Sequence, residues 1–431
     1  MIKRIIVTGD LLRLTPNPKH SDQDVNIAWL YRLLVHQLHT ATALEVQELH
    51  TSSSTPFDPR EFYERNGLHP THANWIKIYN ASPSQSSLEY IKSYFSDSFV
   101  VGFELPNVLI NAFEALSIPY IDTIIHPVRY LDDILLAFRT SDPKIYTNLK
   151  AYQIDEEYYI VHANIHKATM AKMKKPALKP NSMIFAGQVE VDKSLINGDT
   201  LMNLAHFEDK IAQLSKEYTH IYVKTHPYAK DNDKIKAVFN KFANVGYTDQ
   251  NIYYLLAQDR ISALYSISSS TVLEAKYFGK KAEYLYKNPF YIDHDNREPN
   301  SEEYISIRDA FFMTSFWSEI LNDVIPTKSV KPLPLPQKTN RLRNSLQNYW
   351  GYKFLDSDIL LKSYDLYTDH PEESVSQILQ EIRPQIERER ANLEHKLLTD
   401  KRMRYILQKL RRIPILGRFL YFVKQKVLKW H

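Results

Sequence analysis

The sequence predicts an α/β protein in which two units, each a parallel sheet covered by helices, face one another across a cleft. In the first unit, short apolar runs at 3–8 and 98–103 alternate with helically spaced apolar residues, as at 26–38. The same alternation starts again at 183–189 and 220–224. Strands that alternate with helices favour parallel sheets, and ligands bind where the strands of such sheets end.

Each element is predicted from its periodicity. In the first unit, the expected strands are 3–8, 98–103 and 119–125, and the expected helices are 26–38 and 107–116. In the second unit, the expected strands are 183–189, 220–224, 260–267 and 281–286. The expected helical segments there are 200–218, 234–242, 251–257 and 270–278.

Composition along the chain sets the expected domain limits. A segment rich in lysine and proline at 167–180 separates a first domain, 1–175, from a second domain, 180–330. Residues 331–400 begin with the Pro-rich run KPLPLP and are expected to form a linker and helices that brace the cleft. The basic segment 401–431 then ends the sequence.

Glycine is scarce, and its spacing excludes several classes of protein. The chain has 9 glycines in 431 residues, and the two nearest are eleven positions apart. No dinucleotide-binding G-x-G-x-x-G, P-loop or G-x-S-x-G motif can therefore be written. A nucleotide site in this chain has to hold phosphate without a glycine-rich loop. The absence of cysteine also excludes disulfides, thiolate metal sites and a cysteine nucleophile.

Positive charge is concentrated at the C-terminal end of the sequence. Residues 401–431 contain ten Lys or Arg and no acid, which leaves 44 basic and 50 acidic side chains in residues 1–400. Within this tail, aromatic and aliphatic residues recur at helical spacing from Phe419 to Trp430, as in a helix lying on an anionic membrane surface. Docking onto the protein body and RNA binding are the alternatives, and the acidic body argues against nucleic acid. With no signal peptide or spanning stretch visible, we expect a cytoplasmic protein at the membrane surface.

A run of hydroxyl side chains opens the predicted helix 270–278. The run consists of Ser268, Ser269, Ser270 and Thr271. The first turn of a helix has unpaired N–H groups and a partial positive charge, so this run is expected to hold a phosphate. Simple capping of the helix is the alternative, because serine and threonine are favoured caps.

Further polar residues follow other predicted strands. His226, two residues after Lys224, is placed to meet a leaving phosphate, although a single histidine is more often a surface or core residue. Gln188 lies on the predicted strand 183–189, and Asp192 follows that strand. A carboxylate at the edge of a cleft can act as a base, a nucleophile or an electrostatic stabiliser, and Asp192 can equally be a cap.

A second polar cluster, Ile125-His-Pro-Val-Arg-Tyr-Leu-Asp-Asp133, follows the strand 119–125. His126 or Arg129 is a candidate for binding a carboxylate or an acceptor sugar, because arginine pairs well with carboxylates. The alternative is that Arg129 pairs with the two aspartates. The spacing of His162 and His166 would allow a metal on a helix, but no carboxylate completes a ligand set, and we expect no metal.

Four motifs in this order resemble the bacterial β-Kdo glycosyltransferases of capsule and O-antigen assembly. The motifs are Q-x-x-x-D from Gln188 to Asp192, K-x-H-P from Lys224, S-S-T-x-x-E-A up to Glu274, and P-F-Y from Pro289. The resemblance covers about residues 184–291. It implies a GT-B-like fold of two Rossmann-type domains and a retaining transfer of Kdo from CMP-Kdo.

The resemblance also assigns roles. His226 and the hydroxyl run would hold the CMP phosphate, Gln188 and Asp192 would border the reacting sugar, and Lys224 would offset charge. Glu274 would take the ribose hydroxyls. A CMP-sugar carries one phosphate, so no metal cofactor is expected. The acceptor would be a lipid-linked saccharide at the inner membrane surface.

Retention by double displacement needs a carboxylate nucleophile. Asp192 is one candidate. Glu104, in Val-Gly-Phe-Glu at the end of the strand 98–103, is the other, because an acid after a G-[FY] pair resembles the family pattern. The alternative for Glu104 is an ordinary residue at a helix start.

Two other functions stay open at this point. The histidine–proline and serine pairs are shared with bacterial sialyltransferases, so CMP-sialic acid is an alternative donor. A catalytically inactive membrane-bound scaffold of polysaccharide assembly is the second alternative, and the joint presence of the four polar motifs argues against it.

Overall fold

Short apolar runs rich in β-branched and aromatic residues form the strands, as their composition favours. The computed structural model describes residues 2–173, 175–226, 233–292, 303–333 and 341–346, all within one compact unit, Met1–Ile359. In chain order the strands are β1 (Arg4–Gly9), β2 (Glu45–Glu48), β3 (Ser98–Phe103), β4 (Tyr120–Ile125), β5 (Leu136–Arg139), β6 (Ser182–Ala186), β7 (Ile196–Asn197), β8 (Thr200–Leu201), β9 (His220–Lys224), β10 (Val245–Tyr247), β11 (Ile261–Ser266), β12 (Lys281–Tyr284) and β13 (Ile305–Ile307).

The helices lie between these strands, and side chains that accept N–H bonds begin many of them, as Asp142 does for the helix at Pro143. In chain order the helices are α1 (Asp24–Thr42), α2 (Pro59–Arg65), α3 (His72–Tyr79), α4 (Gln85–Phe95), α5 (Asn107–Ala115), α6 (Pro143–Lys150), α7 (Glu156–Ala171), α8 (Glu208–Glu217), α9 (Asp233–Phe239), α10 (Ile252–Leu256), α11 (Thr271–Tyr277), α12 (Thr314–Leu321) and α13 (Arg341–Ser345).

The first sheet has the strand order β13-β5-β4-β3-β1-β2. Strands β1 to β4 run parallel, whereas β5 and β13 are antiparallel to their neighbours. Successive side chains of β1 alternate between two cores: Ile5 and Val7 face one, and Ile6 faces the other. Both faces of this sheet are therefore covered, which is why the central strands β1 and β3 are mostly apolar.

The second sheet has the order β10-β9-β6-β11-β12, and all of its strands are parallel. Side chains of β6 alternate in the same way, with Ile184 in one core and Phe185 in the other. The chain order of the strands reverses between β6 and β11, and the crevice at such a switch point is where open parallel sheets bind ligands.

The prediction of an α/β protein with parallel sheets is confirmed by this topology. One expected element is wrong: 200–218 is not a single helix. Residues Asn197 and Thr200 pair across a tight turn in which Gly198 has a φ of 59°, so this part forms the hairpin β7–β8. Asn203 then caps a short 3₁₀ helix, and the regular helix α8 begins only at Glu208.

The chain returns to the first sheet earlier than expected. Strand β13 pairs with β5, and α12 packs against α1, although these residues fall within the expected second domain, 180–330. Three residues of β13 are too few to show a period in the sequence. The domain limits and the facing arrangement of two domains stay predictions. Most of the expected bracing segment 331–400, and all of the tail 401–431, lie outside the described residues.

Candidate functional site

A pocket of about 240 Å³ opens where β6, β9 and β11 end side by side. It brings together ten of the twelve side chains predicted from the sequence. These are Arg129, Gln188, Asp192, Lys224, His226, Ser268, Ser269, Ser270, Thr271 and Glu274. Phe290 of the P-F-Y motif lines the same pocket, so all four motifs meet there. Glu104 and His126 are not among the lining residues.

The loops after β6 and β9 approach each other closely. The Gly187 N–H donates to the Lys224 carbonyl at 2.8 Å. A Cβ atom at this position would lie 3.2 Å from that carbonyl oxygen, which is tighter than ordinary contact. Glycine at 187 therefore allows Gln188 and His226 to line one pocket.

Gln188 joins two loops of the site. Its Oε1 accepts from the Ser268 N–H at 2.9 Å, and its Nε2 lies 3.3 Å from Ser194 Oγ. The side chain therefore fixes the hydroxyl run relative to the loop after β6. This bridging position accounts for a glutamine, which supplies both an acceptor and donors.

Asp192 caps a short 3₁₀ helix (Lys193–Leu195) by accepting from the Ser194 N–H at 2.8 Å. The capping alternative raised by the sequence is thus observed, and it leaves Asp192 in the lining of the pocket. Its negative charge also acts on His226 and favours the charged imidazolium there. One carboxylate oxygen is used for the cap, and the residue stays within electrostatic reach of the histidine.

His226 and Lys224 bring positive charge to the pocket. Burial lowers the pKa of His226, the charges of Arg129 and Lys224 lower it further, and Asp192 opposes them. Lys224 Nζ also donates to the Asp249 carbonyl at 3.3 Å. An anion bound among these groups would offset their mutual repulsion and raise the pKa of the imidazole.

The hydroxyl run contains a buried group without a partner. Ser268 is 1% exposed, and its Oγ has no hydrogen-bond partner among the described residues. In contrast, Ser269 Oγ accepts from Thr271 Oγ1 at 3.0 Å, so it helps to begin α11. A buried hydroxyl without a partner is costly, and in a pocket it indicates a group that a ligand satisfies.

Arg129 reaches the pocket from the connection between β4 and β5 of the first sheet. Its Nε is buried without a hydrogen-bond partner in the described part of the chain. The expected pairing with the neighbouring aspartates is not found. Asp132 instead accepts from Tyr158 Oη and contacts Arg308, while Asp133 accepts the backbone N–H groups at the start of α13.

Glu274 lines the pocket and is 1% exposed. Its Oε1 accepts from the Arg129 N–H at 2.7 Å and from Tyr253 Oη at 3.0 Å. Burial raises the pKa of Glu274 to about 7, although these two hydrogen bonds act in the opposite direction. The carboxyl group therefore joins α11 of the second sheet to a segment of the first sheet.

His126 is a core residue and not part of the pocket. It has 0% exposure, and it stacks on Tyr159 with 5.3 Å between ring centroids. Its Nδ1 accepts from the Val128 N–H, and its Nε2 lies 2.9 Å from Ser306 Oγ. With no surface through which to meet a substrate, His126 is removed from the candidate site.

Glu104 directly follows β3 of the first sheet, outside the pocket lining, and has a strained backbone conformation. Its φ of 53° lies in the left-handed region, which is uncommon for residues other than glycine and is enriched at functional sites. The carboxylate lies 2.8 Å from Lys193 Nζ. Burial alone would raise the pKa of Glu104, but the charges of Lys193, Arg129 and Arg13 outweigh it and leave that pKa below its ordinary value.

Two basic residues near the site were not predicted. Lys193, directly after Asp192, pairs with Glu104, and Arg13 contacts the Val191 carbonyl at 3.4 Å. Both contacts join the loop after β6 to the first sheet. A single lysine among 54 basic residues has no local signature. The only available signal was its position next to a candidate catalytic acid.

Two further properties concern the described residues as a whole. No group of three or more His, Asp or Glu side chains comes together there in a way that would hold a metal ion. No helix in the same residues is long and apolar enough to cross a membrane.

No protein-family model matches the chain. A search of curated proteins likewise gives no match.

A comparison with solved structures gives matches of low similarity. KpsC from Thermosulfurimonas dismutans, described as a beta Kdo 2,7 transferase, has a TM-score of 0.30 and 12% identity, covering 55% of this chain and 80% of that one. A beta Kdo 2,4 transferase structure of KpsC has a TM-score of 0.28 and 11% identity, with 52% and 78% covered. The UDP-GlcNAc 2-epimerase of Neisseria meningitidis has a TM-score of 0.22 and 11% identity, with 65% and 81% covered. Likeness at this level carries no functional assignment, so the function has to be argued from the side chains of the pocket.

Proposed function

We propose that the protein is a GT-B-like glycosyltransferase that moves Kdo from CMP-Kdo to a saccharide acceptor, with retention and a β-linked product. The observation that carries the proposal is the pocket itself. Side chains of four motifs, separated by up to 102 positions between Gln188 and Phe290, line one pocket at the switch point of the second sheet. Convergent polar groups at such a point are the usual setting for a nucleotide-sugar site.

The charges of the pocket suit a donor with two anionic groups. CMP-Kdo carries one phosphate, and its sugar carries a carboxylate on the anomeric carbon. Lys224, His226 and the buried hydroxyl of Ser268 supply donors for a phosphate, while the unpartnered Nε of Arg129 offers a donor for a carboxylate. These cations and donors can neutralise one phosphate, and we propose that no metal cofactor is used.

We assign the nucleophile to Asp192. Its carboxylate forms a bond to the anomeric carbon as the bond from that carbon to the phosphate oxygen breaks and CMP leaves. The acceptor hydroxyl then attacks the same carbon and releases the Asp192 carboxylate, and the hydroxyl proton passes to water. Two inversions at one carbon give retention. Asp192 is preferred to Glu104 because it lines the pocket, whereas Glu104 lies outside the lining and pairs with Lys193.

His226 is assigned to the departing phosphate. Its lowered pKa leaves the free imidazole largely neutral near pH 7, and a phosphate placed beside it favours the charged, donating form. We expect His226→Ala to lower kcat/KM by about 100-fold or more. Unchanged kcat/KM in that variant would remove the histidine from the reaction.

The acceptor and location are part of the same proposal. We propose a lipid-linked saccharide as the acceptor and association with the inner face of the bacterial cytoplasmic membrane through the basic tail 401–431. Deleting that tail is expected to reduce binding to vesicles that contain anionic lipid. Equal binding by the full and shortened proteins would contradict the membrane assignment.

The transfer itself can be tested directly. Purified protein is incubated with CMP-Kdo or CMP-sialic acid and a panel of saccharide acceptors in the presence of EDTA, and products are identified by mass spectrometry and NMR. We expect a β-Kdo product from CMP-Kdo only. A sialylated product would identify the alternative donor. Binding of CMP without product from any acceptor would favour the scaffold instead.

A further inference from the structure

The connection between β4 and β5, residues 126–135, leaves the first sheet and enters the core of the second. We call residues 128–135 the strap. Four of its apolar side chains share a core with Ile184 of β6 and Val272 of α11; they are Val128, Tyr130, Leu131 and Leu135. All four are fully buried. Part of the first sheet's chain is therefore built into the wall of the pocket.

Hydrogen bonds hold the strap along its length. Tyr130 Oη donates to the Tyr159 carbonyl at 2.9 Å, and His166 Nε2 donates to the Tyr130 carbonyl at 2.7 Å. Arg343 of α13 donates to the carbonyls of Arg129 and Leu131, each at 3.1 Å. These bonds fix the backbone of the strap around Arg129 to α7 and α13.

Arg129 is the strap residue that lines the pocket. Its N–H is held by Glu274 at 2.7 Å, and its carbonyl is held by Arg343. The backbone is thus fixed on both sides, while the side-chain Nε has no partner among the described residues. Arg129 therefore lines the pocket from a backbone that is fixed on both sides, and its Nε is a donor that no described residue uses.

Glu274 uses one carboxylate oxygen for two contacts within the protein. Oε1 accepts from both the Arg129 N–H and Tyr253 Oη. A group that is 1% exposed and already fixes a backbone N–H is better placed to organise the pocket than to bind sugar hydroxyls. The family resemblance implies that Glu274 binds the ribose. Ribose binding does not account for the hydrogen bonds of Glu274 to Arg129 and Tyr253.

We propose that Glu274 is a positioning residue that fixes the strap so that Arg129 recognises the carboxylate of an acidic sugar nucleotide. Arg129 is then the residue that distinguishes CMP-sugars with a carboxylate from CMP itself. The inference rests on the proposed function, since it assigns the second anion of the same donor. It adds a prediction to that function: loosening the strap lowers the affinity for CMP-Kdo more than the affinity for CMP.

The test compares two ligands on four proteins. Binding of CMP and of CMP-Kdo is measured by calorimetry for wild type, Arg129→Ala, Glu274→Ala and the double variant. We expect each single variant to weaken CMP-Kdo binding about 10- to 100-fold, as for a charge-assisted pair, and to change CMP binding less than about 2-fold. The double variant should be no weaker than Arg129→Ala, because both changes remove one interaction.

Two further variants guard against a general loss of structure. Glu274→Gln keeps an oxygen acceptor for the Arg129 N–H, so it should restore most of the affinity for CMP-Kdo. Arg343→Gln loosens the strap from α13 without touching the pocket lining, so it should weaken CMP-Kdo binding and spare CMP. Arg343→Gln also keeps the test decisive if Glu274→Ala fails to fold, which thermal melts will reveal.

The outcomes separate the two proposals. A Glu274→Ala protein that loses CMP and CMP-Kdo binding equally would overturn the positioning role and favour ribose binding. Arg129→Ala with unchanged affinity for CMP-Kdo would overturn the carboxylate assignment. Wild-type protein that binds neither CMP nor CMP-Kdo would instead contradict the proposed function.

Discussion

The two sheets use the polar side chains on and after their strands in different ways. In the second sheet, polar side chains after β6, β9 and β11 line an open pocket, and Ser268 Oγ is buried without a partner. In the first sheet, Asp122 within β4 and Asp10 directly after β1 both accept hydrogen bonds from backbone and side-chain donors of the protein. Asp122 of β4 accepts from the Leu105 N–H at 2.9 Å, Arg139 Nε at 2.9 Å and Tyr304 Oη at 2.8 Å.

Asp10, directly after β1, shows the same pattern. Its carboxylate accepts from the Leu12 N–H at 3.0 Å and from Trp75 Nε1 at 2.9 Å. Burial raises the pKa of Asp10 to about 6, and these hydrogen bonds oppose the rise. The fold alone therefore does not mark a ligand site. Asp10 and Asp122 are hydrogen-bonded within the protein, whereas Ser268 Oγ at the pocket is not, so a bound ligand can supply its missing hydrogen bond.

The largest expected effect separates Asp192 from Glu104, one acid from each sheet. Asp192→Asn should lower kcat by about 10³-fold or more, because an amide cannot replace a nucleophilic carboxylate. Asparagine is also a good cap, so the 3₁₀ helix and the melting temperature should be preserved. Steady-state kinetics with CMP-Kdo measure the effect.

The matched control is Glu104→Gln. It should cost less than Asp192→Asn and should not stop formation of a covalent sugar–protein adduct, which intact-protein mass spectrometry detects. If Glu104→Gln eliminates the adduct while Asp192→Asn retains it, the nucleophile is Glu104 of the first sheet and not Asp192 of the second.

The second effect concerns stability and belongs to the first sheet. Asp122→Ala leaves Arg139 buried without its partner, so the free energy of unfolding should fall by about 3–5 kcal/mol. Urea denaturation measures the change. Lys3→Ala, which breaks an ion pair on the exposed surface, is the control and should leave the midpoint unchanged. A small effect of Asp122→Ala would mean that the pair between Asp122 and Arg139 contributes little to the stability of the first sheet.

The third effect is a pH dependence from Glu274. Its pKa is about 7 in the folded protein against an ordinary 4.5, so the folded state keeps a proton that the unfolded chain releases between those values. The unfolding free energy of wild type should therefore fall relative to Glu274→Gln as pH rises from about 4.5 to about 7, by on the order of 3 kcal/mol. Denaturation curves of both proteins across this window measure the difference. Parallel pH profiles would show that the group titrates normally.

The smallest effect compares two buried serines at the end of β11. Ser268→Ala should weaken CMP binding about 5- to 10-fold and should not lower the ligand-free stability, because the buried hydroxyl has no partner to lose. Ser266 Oγ donates to the Ala186 carbonyl at 2.6 Å, so Ser266→Ala should lower the unfolding free energy by about 1–2 kcal/mol. Calorimetry and thermal melts give both values. Equal stability losses in the two variants would contradict the distinction.

The sequence predicts those parts of the fold whose information is local. Strand β3 is found at the predicted positions, 98–103, because six consecutive buried residues leave a continuous apolar run. Strand β13 is not predicted, since its three residues depend on pairing with β5, more than 160 positions earlier. The short helices α2 to α4 are likewise defined by packing and capping rather than by a long period.

The same distinction between local and long-range information applies to the residues of the site. The residues that meet in the pocket follow strand ends in recognisable motifs, so their proximity can be predicted from the topology of parallel sheets. Two other contacts cannot be predicted from the sequence: the hydrogen bond between Glu274 and the Arg129 N–H, and the ion pair between Lys193 and Glu104. Each of them joins residues that belong to different sheets. His126 is misjudged for a related reason: a histidine after a strand looks the same in sequence whether it is solvent-exposed or stacked on Tyr159.

The pairing of β13 with β5 also bears on the order in which the molecule is made. Strand β5 is synthesised early, but its partner emerges about 165 residues later, after the whole second sheet. At ribosomal rates this interval is roughly 10–30 s, during which the apolar edge of β5 and the surface later covered by α12 have no native partner. The second sheet is thus an insertion within the first, and the sheet that begins synthesis is the last to be completed.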